Sequence, residues 1–340
     1  MKLFRKKVEK QTEQEKVNQR REEVLAAGRK FKYPLQWTKH RIVINTILIS
    51  TIVVGILATA GWLALYKFNM TDDMLYRITK IVPVPVASVD GINVRFSDYL
   101  MLYLSSTNSI ERQSSTTDEE SLEVLHSQYM TTALSEAEKY AYAEKIAKEQ
   151  GITVTDEEVT AEFDRHRNIG GIERKEESFL KVIEDNFGLN KSEYRRILYL
   201  GLVRAKVEMA IDENANMLAN KVESLLAGNG GDYTAVANAL GDKIQYEETA
   251  GMVSSQNIDG GRASEAIKLE EGGQSGRFIS LNGDGYYFVK LIAKTETEVN
   301  FVSIKVPFTE FESRFAALKD EGKVSEFITI PAPEQDGTGE

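Results

Sequence analysis

Hydrophobic positions are spread very unevenly along the 340-residue chain. Residues 42–66, "IVINTILISTIVVGILATAGWLALY", form an unbroken uncharged block of 25 residues. At about 1.5 Å per residue a helix of this length covers roughly 37 Å, enough to cross a ~30 Å hydrocarbon core with some tilt. Residues 67–85 read as a linker ending in "IVPVPV", whose prolines impose an extended backbone. The alternation of Val86, Ser88 and Val89 with Ile92 and Val94 around Asp90-Gly91 predicts a hairpin with a type I′ turn. A helix then starts near Phe96 with Ser97 placed to cap it, and the polar run 105–118 predicts a mobile loop.

From Glu119 to Gln150, apolar residues recur at three- and four-residue steps, among them Leu122, Leu125, Tyr129, Leu134, Ala137 and Ile146, so a long helix is predicted. Gly151 is a stop signal, and Thr155 with Glu158 makes a capping box for the next helix. Helices are further predicted over 175–187 and 191–227, separated by Gly188. The character changes at "GNGGDY", 228–233. A short helix "YTAVANAL" is followed by a Gly-rich stretch, a strand in "GDGYYFVKLI" (283–292), a strand "NFVSIKV", an amphipathic helix "FTEFESRFAALKDEG" and a last strand "SEFITI". The tail 331–340, "PAPEQDGTGE", reads as disordered.

Charge divides the chain in the same places. Residues 1–41 carry a net +8, residues 42–66 none, and residues 67–340 a net −18, for −10 in all. The positive-inside bias therefore predicts a basic cytoplasmic tail (1–41), a single-pass transmembrane helix (42–66) and an acidic extracytoplasmic remainder. Trp37, Trp62 and Tyr66 suit the two interfaces. Ala58-Thr59-Ala60 has the small-x-small form of a signal-peptidase site, but the long basic region before it and the apolar run continuing through Leu65 favour an anchor. The basic tail is short and interleaved with Glu, so topology and lipid headgroups account for it and no nucleic-acid partner is expected.

Candidate chemistry is sparse. Cysteine is absent, which excludes disulfides and thiolate metal sites, and the histidines are His40, His126 and His166 alone. No metal or cofactor is implied. The Gly pairs at 170–171, 230–231, 260–261 and 272–273 lack the following Lys-Ser/Thr of a phosphate loop and read as turns. No nucleophile-elbow motif accompanies a histidine, and His166, in "FDRHRN", reads as part of a solvated helix end.

In order and spacing, "VASVDGINVRFSDYL", "EAEKYAYAEKIAKEQGITVTDEEVTAEFDR" and "SFLKVIEDNFGLNKSEYRRILYLGLVRAKV" resemble the N-terminal chaperone domain of SurA- and PrsA-type extracytoplasmic foldases. "GGDYTAVANAL", "GMVSSQNI" and "ASEAIKLEEGGQSGRFISLNGDGYYFVKLI" then resemble a parvulin-type prolyl isomerase domain, with Tyr287 where parvulins usually place a histidine. The opening parvulin strand has no counterpart before Ala235; "NFVSIKV" is the candidate to reach the sheet from the C-terminal side, and it too lacks a histidine.

The resemblance implies an α+β fold: after the transmembrane helix and the 67–85 linker, a mainly helical SurA-like domain (86–227), a small parvulin-like α/β insert (228–306), and a C-terminal helix and strand (307–330) returning to the chaperone core. Phe327, Thr329 and their neighbours are expected to pair with the 86–94 hairpin. Met252, Ile267, Phe278, Tyr287 and Phe288 are the candidate peptide-binding residues, on an apolar surface that outlasts the lost histidines, and no catalytic residue is assigned. The implied function is a membrane-anchored extracytoplasmic chaperone for unfolded or newly translocated polypeptides, of the peptidyl-prolyl isomerase family but with weak or no isomerase activity. The alternative is a cell-envelope adaptor docking one defined partner.

Overall fold

A computed structural model describes the backbone of residues 2–113, 119–168 and 173–331, and the side chains of 13–28, 40–108, 121–168 and 173–331. The chain divides into two compact units, Met1–Ala64 and Leu65–Glu340. The predicted tail beyond Pro331, the Gly170-Gly171 pair, the end of the predicted loop at 114–118 and the side chain of Trp37 lie outside the described residues.

The first unit is one helix, α1, Lys2–Trp62, so the basic segment is helical as well as the apolar one. The stretch His40–Lys67 is long and apolar enough to cross a membrane, and its most apolar 18-residue window is not buried within the protein, whereas Leu65 near its end is. Its threonines need no water: the hydroxyls of Thr46, Thr51 and Thr59 donate to the carbonyls of Ile42, Ile47 and Gly55 at 2.8–2.9 Å. A π-helical turn, Leu63–Lys67, follows. The Tyr66 hydroxyl donates to the Pro85 carbonyl at 2.6 Å and its ring meets Phe96 edge-on.

The second unit begins with a helix in place of the predicted linker. In α2, Asp73–Ile81, the Asp72 carboxylate caps the first turn, and Leu75, Tyr76 and Thr79 are buried. The hairpin β1, Pro85–Val89, and β2, Ile92–Arg95, is as predicted, and Asp90 and Gly91 both have positive φ (46° and 83°) as a type I′ turn demands. Helix α3, Phe96–Gln113, starts directly at the strand end, so Ser97 lies inside it and does not cap it. It also runs through much of the predicted loop. The hydroxyls of Ser105, Ser106 and Thr107 donate to carbonyls three and four residues back, which satisfies them within the helix, and Ser105 and Thr107 are buried.

Four helices follow: α4, Glu119–Gln150; α5, Asp156–Arg167, with the Thr155/Glu158 capping box formed; α6, Glu176–Phe187; and α7, Lys191–Ile211. The helix expected over 191–227 is broken at Asp212, where α8, Glu213–Gly228, begins. Arg196 of α7 bonds Asp98 of α3 (2.8 Å) and Glu144 of α4 (2.9 Å), tying three helices together. Beyond α9, Tyr233–Leu240, come β3, Gln245–Glu248; β4, Val253–Ser254; α10, Arg262–Ala266; β5, Phe278–Ile279; β6, Gly285–Lys294; β7, Glu298–Pro307; α11, Glu310–Asp320; and β8, Val324–Glu326.

Two antiparallel sheets result. One has the order β3-β7-β6-β5, with β4 paired to the end of β7, so "NFVSIKV" does join the sheet from the C-terminal side. The other has the order β2-β1-β8. There the returning strand pairs Val324–Glu326 with Val89–Ala87, three residues earlier than expected; Phe327 adds one hydrogen bond to Val86, and the Thr329 carbonyl accepts from Asn69 rather than from the hairpin. Helix α11 returns with it, packing Phe311 and Phe315 on Tyr142 of α4.

Candidate functional site

Strand alternation gives the larger sheet two different faces. On one, Tyr286 and Phe288 of β6 join Val302, Ile304 and Val306 of β7 in a core closed by α8 and α9. On the other, Val289, Leu291, Val299 and Phe301 are covered by Ala263 and Ala266 of α10. Along this second face the register pairs Leu291 with Phe301, Val289 with Ser303 and Tyr287 with Lys305, so it grades from apolar to polar.

Tyr287 sits at the polar end. Its ring contacts Phe278 (centroids 5.9 Å apart), and the Arg262 guanidinium and the Lys305 ammonium lie 5.1 and 5.8 Å from its centroid. Each cation is also tied to an acid, Arg262 to Glu247 and Lys305 to Asp284, the latter at 2.5 Å. Arg262 reaches the Asp259 carbonyl at 2.9 Å as well. Burial, and then the charge of Asp284, push the Tyr287 phenol above its usual range. Burial disfavours the Asp284 carboxylate, but hydrogen bonds from Lys305 and Ser280 outweigh it and hold that group below the ordinary carboxylate range.

Immediately above Tyr287 runs the Gly260-Gly261 turn. Gly260 has φ +75°, and a Cβ there would stand 2.8 Å from Ser280 Oγ and 3.0 Å from the Tyr287 ring. The glycine thus permits a close approach that seals the tyrosine in. On the outer side of this turn lies a cavity of about 330 Å³. Its walls are the end of α5 (Arg165, Asn168), the loop 255–261, Ser264 and Ile267 of the α10 region, and Leu281-Asn282. It is furnished with amides and hydroxyls, while Ile258 and Leu281 stand exposed at its wall.

The five sequence-derived candidates divide. Ile267, Phe278 and Tyr287 share the α10 face, but only Ile267 lines the cavity. Tyr287 lies beneath the cavity floor and is 5% exposed. Phe288 belongs to the opposite face, where it is part of the core under α8 and α9 and does not line the cavity. Met252 is exposed on the turn before β4 and lines none of the described cavities. Arg262, Lys305, Arg165 and Leu281 carried no local signal, because sheet register and helix packing bring them to the site.

The histidine of α5 is also placed differently from its solvated reading. His166 Nδ1 is 2.7 Å from the Tyr194 hydroxyl and its Nε2 3.1 Å from Glu162, so it knits α5 to α7. His126 likewise pairs with Tyr103 at 2.7 Å, joining α4 to α3. A larger cavity of about 800 Å³ lies where α2, α3 and α6 meet. There Glu193 accepts from the Tyr76 hydroxyl (3.0 Å) and from Lys80 (2.9 Å), an arrangement that satisfies its own charges. Compared with known families and curated proteins, the chain matches no family model and no curated sequence.

Proposed function

We propose that this chain is a membrane-anchored extracytoplasmic chaperone of the SurA/PrsA type, with its N-terminus cytoplasmic, which holds unfolded or newly translocated polypeptide and has little or no prolyl isomerase activity. The observation that carries this reading is the cavity beside the Gly260-Gly261 turn. Its size suits a pair of side chains. Its neutral amides, from Asn168, Gln256, Asn257 and Asn282, can bond any peptide backbone without demanding a sequence. The two-residue edge strand β5 leads to it, with Ile279 and Leu281 exposed; the Leu281 N–H is already bonded to the Gly260 carbonyl at 2.9 Å, so an extended segment would meet the sheet edge at Ile279 while its apolar side chains meet Ile258 and Leu281. The net −18 of residues 67–340 keeps such a holder soluble and disfavours acidic clients.

Isomerisation must cross a barrier of about 18–20 kcal/mol about the amide bond, which takes polar groups aimed at the twisting peptide. The residue in the histidine's place, Tyr287, is sealed below Gly260 and engaged by Arg262, Lys305 and Phe278, and this supports an absent or weak isomerase. The test pairs two assays on the full chain in detergent. Aggregation of several unrelated denatured proteins should be suppressed near stoichiometric ratio, and Ile258→Glu with Leu281→Glu should abolish the effect with an unchanged melting temperature. Cis/trans exchange of a proline peptide should run at the rate of buffer. Unsuppressed aggregation, together with recovery of one partner by crosslinking in cells, would replace this reading with that of an adaptor.

A further inference from the structure

We infer that α2 is a membrane-surface helix, whose outward apolar stripe lies in the interfacial zone of the bilayer. The inference rests on the anchoring proposed above. A surface helix of a water-soluble domain needs one apolar face. Helix α2 has two. Leu75, Tyr76 and Thr79 face the protein core, while Met74, Ile78 and Ile81, spaced i, i+4, i+7, point away from it at 66%, 45% and 83% exposure. Exposed Phe68 and Met70 precede the stripe and exposed Val82 ends it. Single exposed apolar residues are ordinary, but a continuous stripe calls for an apolar partner.

Covalent geometry says which. Helix α2 starts at Asp73, and the stretch that could cross a membrane ends at Lys67. The residues between, 68–72, reach at most about 20 Å even when fully extended. Once residues 42–66 span the bilayer, the stripe cannot leave its neighbourhood, whereas a diffusing client has no such tether. The charges on α2 do not argue for headgroup attraction. Arg77 and Asp73 are exposed but bonded to each other at 2.7 Å, and Lys80 is bonded to Glu193 at 2.9 Å, so these charges neutralise one another beside the apolar stripe, and neutral lipid suffices.

The chain has no cysteine, so single cysteines can be labelled cleanly. We would place an environment-sensitive fluorophore at Met74→Cys, Ile78→Cys and Ile81→Cys in the full chain, reconstituted in phosphatidylcholine vesicles. Ile52→Cys serves as a reference within the span and Met217→Cys, exposed on α8, as a reference in water. The expected result is blue-shifted emission at 74, 78 and 81, quenching by doxyl-labelled lipid as at 52, and loss of the iodide quenching seen at 217. Labels at 74, 78 and 81 that behave like 217 while 52 is quenched by lipid would overturn the inference and leave the anchor intact. Iodide quenching at 52 would overturn the anchor, and the inference with it. Labels at 74, 78 and 81 shielded from iodide only on adding unfolded protein would overturn it in favour of a client. Photo-crosslinking of the unsubstituted chain by a diazirine-bearing phosphatidylcholine checks the same point without substitution: adducts within 68–82 support it, and adducts confined to the span refute it.

Discussion

Gly285 is more tightly constrained than Gly283 two residues before it. It opens β6 with φ +152°, and a Cβ there would lie 2.4 Å from the Val306 carbonyl and 3.0 Å from Pro307 Cα, both backbone atoms that cannot yield. Gly285→Ala should therefore cost about 3 kcal/mol, read as a lowered urea midpoint of residues 65–340 at unchanged slope. Glu162 makes a second residue-scale prediction. Burial disfavours its charge, yet hydrogen bonds from His166 and Arg165 outweigh burial and hold its carboxyl down to about 2, against about 4.3 in an unfolded chain. A depressed carboxylate stabilises the fold fully above the unfolded value and progressively less as pH falls toward the folded one. Glu162→Gln should remove on the order of 2 kcal/mol of the stability lost between pH 5 and 2, flattening the acid limb of a plot of melting temperature against pH.

Among the elements, the junction of α7 and α8 is the one a local reading could not find. Asp212, 1% exposed, accepts from Ala215 N at 2.8 Å, capping α8, and from the backbone amides of Thr309 and Glu310 at 2.7 and 3.0 Å, at the start of α11. One carboxylate thus serves two helix N-termini far apart in sequence. Asp212→Ala strands three buried or half-buried donors and should cost about 3 kcal/mol, against about 1 kcal/mol for Thr155→Ala at an exposed single cap, with denaturant midpoints as the measure. The contrast explains what was legible. The Asp90-Gly91 turn and the Thr155/Glu158 box close within a few residues, so their residue types sufficed. The extension of α3 through Ser105, Ser106 and Thr107, and the existence of α2, depend on burial against other helices, which outweighs a polar or Pro-flanked local pattern.

At the scale of the whole molecule, residues 324–326 are what makes the N-terminal hairpin a sheet. Besides the β1–β8 ladder, Asp90 N–H bonds the Lys323 carbonyl at 2.8 Å and Phe327 N–H the Val86 carbonyl at 2.9 Å. A two-stranded hairpin is marginal in water. A chain ending at Gly322 should therefore become protease-sensitive within 85–95 while the 245–307 sheet stays resistant, as read by mass spectrometry of limited digests; equal resistance in both regions would contradict it. The same long-range logic built the candidate site, since Arg262 and Lys305 flank Tyr287 through packing and register alone.

The apolar block at 42–66, the reversal of charge across it, the hairpin turn and the alternation in β6 were determined by the amino-acid order itself. Each follows from composition or from contacts a few residues apart. Tertiary structure alone decided that α2 carries two apolar faces, that Phe288 belongs to a core and Tyr287 to a sealed place beneath a cavity floor, and that Asp212 divides one helix into two. These outcomes depend on which distant segment covers a given face, and the energy of that cover exceeds the local preferences of the residues beneath it.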